Sequence, residues 1–233
     1  MPCSEAEIRG PGSEVRSSSW LFLQLADSAF PTGGFVHSGG LEAAAQLRLV
    51  DRSSLESWLA EALDAVAHGA LPLLTAAHRD PGRLEEWDAL SEAWLWNPAA
   101  NRASRTQGQA WLTTSHAAFP GHGLDDLRRT LRTAPSPGHH APVLGAILAR
   151  LGLGLDESRR LALFLHLRSL ISTAIRLGLV GPLEAQGIQH RLAPVLEAAA
   201  TAEVDLEDLA TTAPLSELAH LHHDRLYSRL FAT

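Results

Sequence analysis

The sequence predicts an all-α fold, a single helical domain of about nine to eleven helices around a central apolar helix. Three observations carry that prediction. The 41 Leu and 37 Ala far outnumber the 13 Val plus Ile, which favours helix formers over the β-branched residues that suit pleated sheets. Apolar residues recur at helical spacing along most of the chain, and Pro/Gly clusters punctuate the periodic runs. With 233 residues, 45% of them apolar, the chain is long enough to bury a sizeable core.

Residues 1–17 combine Gly10, Pro11, Gly12 and several Ser with little periodicity, and are expected to form a flexible N-terminal tail ahead of a domain at 18–233. Trp20, Leu21, Leu23 and Leu25 open a short helix that Pro31, Gly33 and Gly34 should end. A second short helix is expected over 37–49. Ser53 and Glu56 have capping-box spacing, and Leu55, Trp58, Leu59, Ala62, Leu63, Val66 and Ala67 fall on one face of the helix that follows. Further helices are expected over 84–95, 102–117 and 124–131.

The Pro- and Gly-rich stretch 134–142 is either a domain linker or a loop. After it come a helix over 143–151 and a long one over 156–177. The long helix has an almost wholly apolar circumference, leaving His166, Ser169, Thr173 and Arg176 as a narrow polar stripe, so it should be central and mostly buried. Helices following Pro182 and Ala193, and one beginning near Leu215, complete the pattern. Trp58, Trp87, Trp94 and Trp111 read as core residues.

Composition excludes several chemistries. All 19 basic residues are Arg, so there is no lysine for a P-loop, a Schiff base or a carbamylated metal bridge. A net charge of −7 argues against sequence-independent binding of nucleic acid. One cysteine, Cys3, precludes an internal disulfide framework and a Cys-rich zinc site. The N-terminus lacks the basic start and apolar stretch of a secretory signal, and no run of about 20 apolar residues suits a membrane span. A cytoplasmic protein with no membrane partner is the expectation.

Two constellations invite a chemical reading. Four glycines, Gly33, Gly34, Gly39 and Gly40, fall within eight residues, where a helical protein retains them for positive φ or close backbone approach; Pro31, Gly33, Gly34 and Gly39 are the expected structural turn. Within that segment His37 and Ser38, with Asp27, supply the residue types of a nucleophile triad. However, neighbouring side chains do not meet on a helix, and Val36 stands where a nucleophile elbow needs glycine. His220 and His223 are three apart and share a helix face, but two imidazoles without a third ligand make a loose metal site. The rival to a binding role is a helical hydrolase or metal hydrolase using His37, Ser38 and His223; a free-standing helical interaction module is a third reading.

The residues resemble the urease accessory protein F family (UreF) in three blocks. The first is Leu-Gln-Leu-Ala at 23–26, Pro-x-Gly-Gly-Phe at 31–35 and Ser-x-Gly-Leu-Glu at 38–42. The second runs from His140 through Gly145, Leu151, Gly152 and Leu163 to Arg176, and on from Pro182 to Leu192 with Gln189. The third is His223, Asp224, Tyr227, Ser228, Arg229, Leu230 and Phe231. His37 departs from the pattern, standing where many members carry Tyr.

The resemblance implies an all-helical dimer that is not itself an enzyme and binds no cofactor tightly. It further implies the middle piece of a nickel-delivery complex, joining a D (or H) accessory subunit to a G-subunit GTPase that serves apo-urease. Nickel would transit the complex. The implied partner-binding residues are Phe35, His37, Ser38 and Glu42, with Phe35 and His37 facing outward, together with His223, Tyr227, Ser228, Arg229, Leu230 and Phe231. Arg229 would act as an arginine finger or pair with a partner carboxylate, while Tyr227, Leu230 and Phe231 anchor in partner pockets.

Overall fold

The computed structural model describes residues 13–133 and 137–233, which are helical with no strand among them. Helix α1, Ser13–Ala26, begins inside the segment expected to be a tail; residues 1–12, Cys3 included, lie outside the described residues. Residues 37–49 form a shorter helix than expected, α2 at Leu41–Gln46, because Gly39 and Gly40 both take positive φ. Then come α3, Leu55–His68, and α4, Ala70–Arg79. The capping box of α3 is not made: Asp51 Oδ1 accepts from the Ser53 and Ser54 amides, while Glu56 pairs with Arg191 of a distant helix at 2.7 Å.

Helix α4 has no counterpart in the sequence reading. Pro72 occupies the first turn, where a missing N–H costs nothing, and Leu71, Leu73, Leu74 and Ala77 are buried. Helices α5 (Leu84–Trp94), α6 (Pro98–Ala118) and α7 (Leu124–Thr133) follow. The start of α6, a turn earlier than expected, is a capping device: the Asn97 side chain accepts from the Ala99 and Ala100 amides ahead of Pro98.

Of the stretch after α7, residues 134–136 lie outside the described residues and residues 137–139 are strapped to neighbouring helices. The Gly138 and His139 amides donate to Asp88 of α5 at 2.9 and 2.5 Å, and His139 Nε2 lies 2.7 Å from Glu92. Helix α8, His140–Arg150, is buried at every position from Pro142 to Leu148. It lies against α4 at Gly145, where an added Cβ would collide with the Leu74 carbonyl. The chain continues with α9 (Leu155–Arg176), α10 (Pro182–Arg191), α11 (Ala193–Thr201) and α12 (Pro214–Leu221).

Two apolar clusters share α4 and α9. Leu71 of α4 and Leu163, Leu167 and Leu170 of α9 join α2, α3 and α10 in one. Leu74 and Leu161 join α6, α7 and α8 in the other, around Trp111 and Phe30. Trp58 and Trp111 are core residues as expected, whereas Trp87 and Trp94 are only partly buried. Helix α9 touches α1, α2, α3, α4, α8, α10 and α11. The residues read as its polar stripe divide: Thr173 is buried, while Ser169 and Arg176 reach the glycine-rich segment described below.

Candidate partner-binding site

Between α1 and α2 the backbone is shaped by glycine. Gly33 at φ 72° sets up a 3-10 turn over Gly34–Val36, and Gly39 and Gly40 at φ 59° and 86° launch α2. Gly40 is doubly constrained: besides its left-handed conformation, a Cβ there would sit 3.0 Å from the Cβ of His220 on α12. Helix α9 fixes the turn from beneath. Ser169 Oγ donates to the Gly34 carbonyl at 3.3 Å, and Arg176 Nη1 donates to the Phe35 carbonyl at 2.6 Å. Pro31 is held by Thr114 Oγ1, which donates to its carbonyl at 2.8 Å.

Onto this segment folds the end of the chain, after a 3-10 turn at His223–Arg225. The Ala232 amide donates to the Val36 carbonyl at 2.8 Å, and the Ser38 amide to the Thr233 carbonyl at 2.6 Å. The Glu42 carboxylate accepts from the amides of Leu230 at 2.6 Å and Phe231 at 3.2 Å. Gln46 Nε2 donates to the Ser228 carbonyl at 3.0 Å. Phe231 is buried, and the Arg176 guanidinium lies 4.0 Å from the ring centroids of both Phe35 and Phe231, a cation–π sandwich across the two segments. The two blocks form one clasp.

Charge at the clasp is buried at Glu42 and exposed at Asp224 and Arg229. Glu42, 1% exposed, lies 3.3 Å from His223 Nε2. Asp224 is held below the usual carboxylate range, first by its hydrogen bond to Arg102 at 2.6 Å and then by the charges around it; Arg229 stands further off, at 3.6 Å. Burial, and then the neighbouring His223, lower His37. Burial, with His223 and His37 nearby, pushes His220 down to about 4. His37 Nε2, His220 Nε2 and His223 Nδ1 are buried with no hydrogen-bond partner.

The residues singled out from the sequence therefore divide. Phe35 is 65% exposed, and Tyr227, Leu230, Ser228 and Arg229 are also exposed. His37, expected to face outward, is buried, as are Ser38, Glu42, His223 and Phe231. The reason is shared: the end of the chain covers them, so these groups bond within the molecule. Phe231 is not a free anchor in this state. Sequence reading missed Arg176, Ser169, Arg102 and His220 as clasp residues. The polar stripe on α9 was the available signal for the first two; Arg102 is 122 positions from Asp224, beyond the reach of any local pattern.

The triad geometry is not assembled. Ser38 Oγ donates to the Thr233 carbonyl at 3.0 Å, His37 Nδ1 meets Thr233 Oγ1 at 2.6 Å, and Asp27 accepts from the Ala29 amide in an exposed turn. Among the described residues no group of three or more His, Cys, Asp or Glu is placed to hold a metal ion, and no helix is long and apolar enough to cross a membrane.

Comparison with known proteins places the chain. The UreF family model matches residues 49–193, the stretch between the two halves of the clasp. Urease accessory protein F of Oryza sativa subsp. indica is 37% identical over 241 residues, covering 100% of this chain and 92% of the relative. Its counterpart in Arabidopsis thaliana is 37% identical over 222 residues, covering 92% of each. Urease accessory protein UreF of Mesorhizobium japonicum is 32% identical over 225 residues, covering 93% of this chain and 95% of the relative. Matched over more than half its length by the family model and along its whole length by a relative, the chain belongs to the UreF family of urease accessory proteins.

Proposed function

We propose that this chain acts in urease maturation as a non-catalytic adaptor. As a homodimer in the cytoplasm, it joins a D/H-type accessory subunit to a G-subunit GTPase and regulates the GTP-dependent delivery of nickel, the cargo of the assembly, to apo-urease. The observation that carries the reading is the clasp. Two segments far apart in sequence are brought together with Phe35, Val36, Tyr227 and Leu230 exposed, a density of large apolar side chains typical of binding hot spots. The absence of lysine supports the division of labour, because nucleotide hydrolysis then belongs to a partner with a P-loop. Arg229 suits pairing with a partner carboxylate better than service as an arginine finger, because it sits in an apolar and aromatic motif, Tyr227, Leu230 and Phe231, of the kind that anchors an interface.

The test is co-purification of the chain with the D/H-type subunit and the GTPase. The double substitution Tyr227→Ala and Leu230→Ala, both at exposed positions, should reduce capture by more than tenfold with the melting temperature unchanged. Undiminished capture would remove the clasp surface from the reading. Ester hydrolysis by the wild type that is abolished in Ser38→Ala would instead support the hydrolase.

A further inference from the structure

The clasp closes over three imidazoles, those of His37, His220 and His223, each with one buried nitrogen that has no hydrogen-bond partner. His37 is nine-tenths buried; its Nδ1 meets the Thr233 hydroxyl, its Nε2 meets nothing, and no carboxylate bonds to it. The groups facing it come from every neighbouring element. His220 approaches from α12 and His223 from the turn that follows, where Asp224, bound by Arg102 of α6, stands next to His223. Arg176 reaches up from α9 to the Phe35 carbonyl. On the far side lie His140 of α8, whose charge His37 opposes, and beyond it His166 of α9. The buried side-chain carboxylate at the clasp, Glu42, is already shared among His223 Nε2 and the Leu230 and Phe231 amides. A cation formed at His37 would therefore be stripped of water, repelled by His223 and left with an unbonded Nε2.

We propose that the clasp is a proton-gated latch: uptake of a proton by His37 drives residues 226–233 off the glycine-rich segment, so that this end of the chain is released on mild acidification. Release turns His37 toward water, where the cation is stable, and frees the Glu42 carboxylate.

The sign follows from which form holds the proton. His37 is lowered in the closed form, by burial first and His223 second, so the open form binds more protons between the ordinary imidazole value and the lowered one. Closure is complete above about pH 6.5 and weakens as the pH falls, by up to about tenfold in the closed-to-open ratio per pH unit for each imidazole that must stay neutral. This inference concerns the chain alone and stands whether or not the adaptor reading holds.

Amide hydrogen exchange on the isolated protein between pH 7.5 and 5, corrected for the intrinsic rate, tests it. The Leu230, Phe231 and Ala232 amides should lose more than tenfold in protection while those of Leu144 and Ile147 in α8 keep theirs. His37→Asn, which retains a polar group where Nδ1 meets Thr233, should flatten the pH dependence at the clasp; His37→Phe serves as a second non-titrating variant. Three results would overturn the latch: protection at the clasp unchanged down to pH 5, equal loss at the clasp and in α8, or a pH dependence that persists in both variants.

Discussion

The contact between α4 and α8 and the clasp between residues 33–42 and 226–233 are both close approaches of distant segments. They are held by opposite means. The helix pair is apolar nearly throughout: Leu71, Leu73, Leu74 and Ala77 meet an α8 buried from Pro142 to Leu148, with Gly145 letting the backbones approach. Its stability comes from area removed from water and from packing, neither of which responds to a proton. The clasp is tied by backbone amides donating to Glu42 and Val36, by the Ser38 amide donating to Thr233 and by one guanidinium between two rings, over imidazoles that each keep one unpartnered nitrogen. Such bonds give little net free energy each when water can replace them, so a segment held this way opens locally while the helices stay folded. In one molecule, a fixed scaffold and an exchangeable surface are made from different interactions.

Substitutions that separate the two regions sharpen the contrast, and the largest effect belongs to the scaffold. Gly145→Ala would favour a free helix by about 1 kcal/mol, yet here the new methyl group meets the Leu74 carbonyl. Stability to urea should therefore fall, by about 3 kcal/mol; an unchanged or raised midpoint would mean that α4 and α8 are less tightly packed than described. In the clasp, Glu42→Ala strips the acceptor from two amides and from His223, a loss of about 2 kcal/mol. That loss should be read in amide exchange at Leu230 and Phe231 with α8 protected; a uniform loss would make Glu42 part of the scaffold. Arg176→Ala removes the guanidinium between Phe35 and Phe231 and should weaken the clasp by about 1 kcal/mol, detected as faster exchange at Phe231. The smallest effect is a gain. Arg48 holds a left-handed φ of 58° after α2, so Arg48→Gly should raise stability by about 0.5 kcal/mol as relief of that conformation outweighs the added freedom of the unfolded chain.

What could be read from the sequence follows the same division. Helix α3, whose apolar residues repeat cleanly, and α9, apolar almost all round, were legible because burial is written locally, as a period in the first and as a nearly unbroken apolar surface in the second. Helix α4 was not, since Gly69 and Pro72 carry breaker signals that only the position of Pro72 in the first turn cancels. At the site, residue types and the need for glycine at 33, 39 and 40 were visible. Orientation was not: that His37 and Glu42 face inward depends on Thr233, Leu230 and Phe231 arriving from nearly two hundred positions away, which no local spacing encodes. The blocks at 31–42 and 223–231 stand far apart in the sequence, and folding brings them together.

That union is the central claim, and affinity measurements test it most directly. Phe35 and Leu230 are exposed side chains on opposite halves of the clasp. The affinities of wild type, Phe35→Ala and Leu230→Ala should be measured separately for the D/H-type accessory subunit and for the GTPase. If the clasp is a single docking surface, both substitutions weaken binding of the same partner by about tenfold at an unchanged melting temperature. If each weakens a different partner, or neither changes an affinity, the two halves do not act as one site.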